Sequence, residues 1–422
     1  MLILPIGTWR KGQYFPWATY CLIGANGIVY ILCLVLGYEE ALDKLAFQPD
    51  NFAWGQVLTH MFTHAGLFHL VGNMLFLWVF GPHVEDDLGP FNFLVLYLCA
   101  GLVAIGAQFG YEHWITQGEA ARGGVGSSGA IAGILGLFAV RYYFVPVNVF
   151  VFAIWGWMYQ YRVICQVYPV TGWLVLGLWF ALQLMLAYMW GMAETELHSS
   201  IADVAYWAHI GGFAFGMAAS FGLKMNTSAL EENYFDQARE YAENGNWHGV
   251  KAAGRSLLRW APTNPDANLM VADAMERTHQ AEAAAPYKLA AVEGLALAGR
   301  DEEASGLVEG LIAQASASRL DSLTVLKQAR KLDAIEHDKV ASRVFELFVA
   351  LWPSDSMALQ ALLRAAELAC KQEEPERTIR LLAWLVRLDT DGEWQSYAGR
   401  LRLVAEAKLQ EEHRPLDLTD LK

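Results

Sequence analysis

The chain has 422 residues, 55% hydrophobic and 13% aromatic, with mean hydropathy +0.24. That is too apolar for an ordinary water-soluble protein of this length and predicts membrane spans. The formal net charge of -14 leaves no basic stripe to neutralise phosphates, so nucleic acid is excluded as a partner. The five cysteines, Cys21, Cys33, Cys99, Cys165 and Cys370, are scattered and form no C-x-x-C. That argues against disulfides and against a cysteine-held metal.

Taken in order, the chain divides into a polar leader over 1–16, a six-helix transmembrane domain over 17–225, and a soluble helical-repeat domain over 226–422. The expected fold class is all-α. Arg10 and Lys11 precede the first span, about 17–37, and favour a cytoplasmic N-terminus. No small-residue cleavage signal accompanies that span, so it reads as a retained helix. An acidic loop follows, with Glu39, Glu40, Asp43 and Asp50, and ends in the interfacial pattern NFAWGQVLTHMF. Further spans are expected at about 65–80, 91–114, 128–144, 173–192 and 207–223.

The apolar run 145–170, bounded by Pro146 and Pro169, reads as interfacial or re-entrant. A polar loop, ETELHSSIADVAY, precedes the last span. Arg141, Arg162 and Lys224 place the later loops inside, whereas the acidic turn Glu85, Asp86 and Asp87 does not help that assignment. Six spans leave both termini cytoplasmic, and the expected location is a bacterial inner membrane, with its lipids as surroundings.

Beyond Asn226, helical patterns alternate with breaks at NGNW, APTNPD, WPSD, EEPER and DTDGEW. The segment 345–355 resembles 380–391, about 36 residues later, close to the ~34-residue tetratricopeptide period. Ala366 and Ala383 suit helix crossings, and the alternative is an unrelated helical bundle. Arrays of this kind bind partners along a concave face, so a cytoplasmic protein partner is expected here.

The stretch 122–141, RGGVGSSGAIAGILGLFAVR, carries the chemistry. Gly126, Ser127, Ser128 and Gly129 form G-x-S-G where a glycine-rich loop enters an apolar helix. Unpaired amides at a helix start can stabilise negative charge beside Ser128. The plain alternative is that these small residues only let helices pack closely. Polar residues in the other spans argue against it, because such groups are costly in a bilayer and usually functional. His64, His69 and Asn73 fall in or beside span two, with His69 and Asn73 on one helix face. His209 falls in span six, where Gly212 and Gly216 form G-x-x-x-G.

These are the parts of acyl transfer. Ser128 would attack a peptide carbonyl, and His209 would take its proton and return it to the leaving amine. The Ser128 amide, Asn73 and His69 would stabilise the oxyanion. No acid in a span is placed to orient His209, which predicts a dyad.

The chain thereby resembles the rhomboid intramembrane serine proteases over roughly 50–225. The resemblance rests on H-x-x-x-x-H-x-x-x-N (His64, His69, Asn73), G-x-S-G (Gly126 to Gly129) and A-H-x-x-G-x-x-x-G (Ala208, His209, Gly212, Gly216). Gly81, Glu85 and Gly89 fit the family's G-x-x-x-E-x-x-x-G. It implies a six-helix core, a Ser–His dyad, and cleavage of other proteins' transmembrane helices near the outer membrane surface. It also implies no metal or organic cofactor. On this match Ser128 is nucleophile, His209 base, His69 and Asn73 oxyanion donors, and His64 a structural or water-holding partner. Gly126, Gly129, Gly212 and Gly216 support the site. Some members carry a tyrosine four residues after the nucleophile, where this chain has Ala132. Three other readings compete: an idle relative that binds transmembrane clients, a metal site using His60, His64, His69 and His209, and a membrane anchor for the tail.

Overall fold

Glycine and proline decide where the apolar helices break. The computed structural model describes residues 2–8, 10, 12–48, 51–114, 124–157, 160–192, 205–313 and 319–412. Lys11, Asp50, Arg122, Gly123, most of the loop before the last span and the side chain of Arg162 lie outside the described residues. The chain forms two units, Met1–Leu230 and Glu231–Lys422.

The first unit opens with a strand, β1 (Leu2–Thr8), followed by α1 (Trp17–Leu36), α2 (Tyr38–Leu45) and the short α3 (Gln56–Thr59). Next comes α4 (Leu67–Trp114), which bends at Gly89, φ +74°, immediately before Pro90. Glycine takes the left-handed conformation without a Cβ penalty, and proline suits the first turn of the following helical segment. The expected break over 81–90 is therefore helical almost to its end. α5 (Ser128–Arg141) follows, then β2 (Pro146–Trp157), β3 (Gln160–Thr171), α6 (Gly172–Met192) and α7 (Tyr206–Gly222). Among the described residues, α1, α4 and α6 are long and apolar enough to cross a membrane, and α5 is a shorter apolar helix.

Two expectations are corrected here. The run 145–170 holds two paired strands and not a re-entrant helix or irregular loop, and the leader contains the third strand of their sheet. The sheet has the order β1-β2-β3 and is antiparallel throughout. Leu2 pairs with Phe152 and Thr8 with Val147, with an irregularity between Pro5 and Gly7. The fold of this unit is thus not all-α. Val, Ile, Phe and Tyr dominate the two hairpin strands, and such residues favour a pleated backbone. Because β2 is apolar at nearly every position, hydropathy alone does not separate it from a membrane segment.

α5 runs through the middle of the unit. Ile134, Leu135, Leu137 and Phe138 are each at most 1% exposed. A helix apolar on every side is a core helix, and α4 and α7 flank it. The acidic turn that gave no topology signal is tied down by specific partners. Glu85 accepts hydrogen bonds from the Ala18 and Thr19 amides, both 2.8 Å, and from the Thr19 hydroxyl, 2.7 Å. It caps α1, whose own N-cap, Pro16, has no side chain to do so. Asp86 accepts from the Gln13 and Tyr14 amides, and Asp87 pairs with Arg141 at 2.5 Å.

In the second unit several helices are amphipathic, and among the described residues three carry a local side-chain cap. α8 (Met225–Glu243) leads from the first unit, and α9 (Trp247–Leu258), α10 (Pro265–Arg277), α11 (Ala285–Leu297) and α12 (Asp301–Ala313) follow. α13 (Ser322–Ala334), α14 (Asp338–Leu351), α15 (Ala358–Lys371), α16 (Pro375–Leu388) and α17 (Gln395–Glu412) complete it. Asn246, Asn264 and Asp321 each accept an amide hydrogen bond at a helix start.

Four helix pairs, α8/α9, α11/α12, α13/α14 and α15/α16, are joined by links of one geometry. Each link places a left-handed residue two positions past the first helix, Gly245, Gly299, Glu336 and Glu373, and Lys224 after α7 and His279 after α10 stand in the same position outside these pairs. Gly299, Glu336 and Glu373 are evenly spaced along the chain. Charged side chains then reach partners one pair earlier: Lys331 to Glu293, Arg364 to Asp333 and Arg377 to Glu346, at separations of 38, 31 and 31 residues. The similar segments 345–355 and 380–391 hold the C-terminal ends of α14 and α16. Ala366 is fully buried, as a helix crossing requires, but Ala383 is exposed, so that placement is corrected.

Candidate active site

The loop entering α5 is held by backbone bonds. Gly124 bridges Phe47, and the Gly126 amide donates to the His60 carbonyl at 2.9 Å. Gly126 has φ +108°, where a side chain would be strained. A Cβ there would also lie 2.7 Å from His69 Cε1, 2.8 Å from His69 Nε2 and 3.5 Å from Asn73 Nδ2. The glycine thus lets the backbone pass directly beneath His69 and Asn73.

Ser128 is the first residue of α5, whose N-cap Ser127 makes no side-chain capping bond. The first-turn amides therefore lack helical partners beside the serine. Ser128, His69, Asn73, His209, Trp179 and Ala132 line a single cavity of about 240 Å³. Asn73 is 9% exposed, and its Nδ2 donor has no hydrogen-bond partner among the described residues. A buried donor left unpaired is costly unless something else accepts from it. A hydroxyl, an imidazole, a free amide donor and uncapped helix amides thus face one space. Acyl transfer uses this set of groups.

Backbone contact brings the two helices carrying serine and histidine together. A Cβ at Gly212 would collide with the Gly129 carbonyl oxygen, and one at Gly216 with that of Gly133. One at Gly129 would lie 2.5 Å from the Ala104 methyl of α4. α5 and α7 therefore meet with no side chain between them along this seam.

His64 lies behind the cavity. Its Nε2 is 3.3 Å from the Ser127 hydroxyl, and its ring packs edge-on against His69 with centroids 5.2 Å apart. His60 Nδ1 donates to the Gln56 carbonyl, 3.0 Å, and burial pushes its imidazole below the ordinary pKa. Among the described residues, no three His, Cys, Asp or Glu side chains are grouped to hold a metal ion, so the four histidines of the metal reading do not converge.

Two residues of α6 complete the surroundings of His209 and were missed in the sequence. His209 Nδ1 lies 2.9 Å from Gln183 Oε1, and the Trp179 ring packs 6.1 Å from the imidazole. Gln183 was discoverable as the one amide in an otherwise apolar 21-residue helix.

Comparison with known proteins gives a domain match over the same region of the chain. Residues 51–226 match the Rhomboid domain. The chain is 34% identical over 141 residues to "Rhomboid-like protein 11, chloroplastic" of Arabidopsis thaliana, covering 32% of this chain and 45% of that one. It is 29% identical over 201 residues to "Rhomboid protein 1, mitochondrial" of Saccharomyces cerevisiae, covering 47% and 51%. It is 37% identical over 128 residues to "Rhomboid protease GluP" of Bacillus subtilis, covering 29% and 24%. The chain thus spans about half or less of the length of these relatives. With its apolar helices, this identifies an integral membrane protein. The domain match and the relatives support the rhomboid family for residues 51–226.

Proposed function

We propose that the membrane unit is an intramembrane serine endopeptidase that cuts transmembrane segments of other membrane proteins through a Ser128–His209 dyad. The observation that carries this reading is the shared cavity, into which α5 brings Ser128, α7 His209, and α4 His69 and Asn73. Ser128 Oγ bonds to the scissile carbonyl carbon while its proton passes to His209 Nε2. His69, Asn73 and the first-turn amides of α5 hold the resulting oxyanion. The C–N bond breaks as the amine takes the proton from Nε2, leaving an acyl-serine. Water, deprotonated by the same nitrogen, then releases the acid and restores the hydroxyl.

The second unit is, in this proposal, a tetratricopeptide-like array that engages a cytoplasmic protein. The repeated links at Gly245, Gly299, Glu336 and Glu373 support it. Both termini inside belong to the same reading, supported by Arg10 before α1, Arg141 at the end of α5 and Lys224 after α7; the bacterial inner membrane remains part of the proposal without a residue that argues for it.

The test uses the full chain in detergent with a fluorophosphonate probe and a single-span reporter. Wild type is expected to label and cleave, with Ser128→Ala and His209→Ala reduced to background and chelator without effect. Cleavage that persists in Ser128→Ala sinks the dyad. Binding of the reporter without labelling or cleavage by wild type turns the reading to an idle client-binding protein.

A further inference from the structure

We propose that Gln183 is a positioning residue that fixes the tautomer of His209; the inference rests on the dyad reading above. A histidine can act as base through Nε2 only if the proton of the neutral ring sits on Nδ1. Something must accept that Nδ1 proton, and among the described residues no acid lines the cavity to do so. The Gln183 oxygen stands 2.9 Å from Nδ1, in hydrogen-bond range, with the residue only 7% exposed. An oxygen at that place accepts, so Nδ1 carries the hydrogen and the Nε2 lone pair remains for the Ser128 proton.

Two further observations support the assignment. Trp179 and Gln183 are one turn apart on α6, hence on one face, and both reach the same imidazole. Gln183 sets the ring through its Nδ1 edge while Trp179 packs against it, and Ala132 leaves room on the α5 side of the cavity. Among the described residues, no Asp, Glu, Lys or Arg lines the cavity, and His69 is the other titratable ring there. A neutral amide is also the cheaper orienting group at this depth. A carboxylate buried there would carry a desolvation cost of several kcal/mol that an amide avoids.

The test pairs a tautomer readout with kinetics on the full chain in detergent. Imidazole ¹⁵N spectra of histidine-labelled protein are assigned by their loss in His209→Ala. Wild type is expected to show His209 protonated at Nδ1 and bare at Nε2. Gln183→Met, of similar shape but without the oxygen acceptor, is expected to lose that state. It should lower kcat on the single-span reporter roughly 10–100-fold, the usual effect of removing an orienting partner, with KM unchanged. Gln183→Glu, which keeps an accepting oxygen at the same reach, is expected to restore the Nδ1-protonated tautomer and turnover above that of Gln183→Met, at a lower yield of folded protein because of the buried carboxyl.

An Nε2-protonated ring in wild type overturns the proposal. So does an Nδ1-protonated ring that survives in Gln183→Met, or a Met variant with wild-type kcat. If wild type neither labels nor cleaves, the endopeptidase reading fails, while the spectra still decide whether Gln183 sets the tautomer.

Discussion

The two units are both helical, yet they are held by opposite means. In the first, helices approach until backbones touch, as Gly212 and Gly216 do against Gly129 and Gly133. Polar groups point inward, and one helix is capped by a carboxylate far away in sequence, Glu85. In the second, large side chains such as Phe348 and Leu362 fill the space between helices, three helices carry local side-chain caps, and most charges lie outside, with Asp338, Arg377 and Asp389 as buried exceptions. The difference follows from solvent. Burial of apolar area holds the second unit together. Lipid gives helices no such drive to associate, so close contact and interior polar bonds take its place.

The harshest way to break this contrast is Gly216→Val. The new side chain would drive into the Gly133 backbone, which cannot swing aside as a side chain can. We expect a cost of about 3 kcal/mol or more and loss of probe labelling at Ser128, read beside the yield of monodisperse protein. Wild-type labelling would mean that the seam is not set by backbone contact. The matching change in the second unit is Phe348→Ala, at a side chain 1% exposed. It should cost about 3–5 kcal/mol, seen as faster amide exchange across α14 and α15. Unchanged exchange there would show that side-chain volume does not hold that unit.

A finer comparison sets Glu85→Gln against Asn264→Ala. Glu85 serves three donors on α1 as a charged acceptor, so we expect about 1–3 kcal/mol. Asn264 serves the Ala267 amide alone, and its loss should cost about 1 kcal/mol. Peptide-resolved exchange over the starts of α1 and α10 measures both. Equal effects would remove the distinction between remote and local caps.

Motif residues were legible in the sequence because their chemistry is tied to spacing. Ser128, His209, His69 and Asn73 were all nominated from polar residues in apolar runs, and they line one cavity. Gln183 belongs to no motif and carries no charge, and its sole signal in the sequence is that it is the one amide in an apolar helix. The sheet escaped because β2 is apolar at nearly every position of both faces, and in β3 Ile164 interrupts the alternation that Gln160, Arg162 and Gln166 otherwise keep. Among the repeat links, Gly245 and Gly299 announce a left-handed turn by residue type. Glu336 and Glu373 adopt the same conformation with nothing in their chemistry to signal it. Only the evenness of the spacing would have revealed them.

The pairing of β1 with β2 also constrains how the chain is threaded. Strands that exchange hydrogen bonds must share one side of a bilayer, so the chain between Thr8 and Pro146 crosses an even number of times. The apolar helices in that interval are α1, the two parts of α4 on either side of Gly89, and α5. The parity also imposes an order in time. At a synthesis rate of ~5–20 residues per second, Phe152 leaves the ribosome roughly 8–30 s after its partner Leu2. The first strand made therefore waits, on the side where it began, until everything between has been threaded.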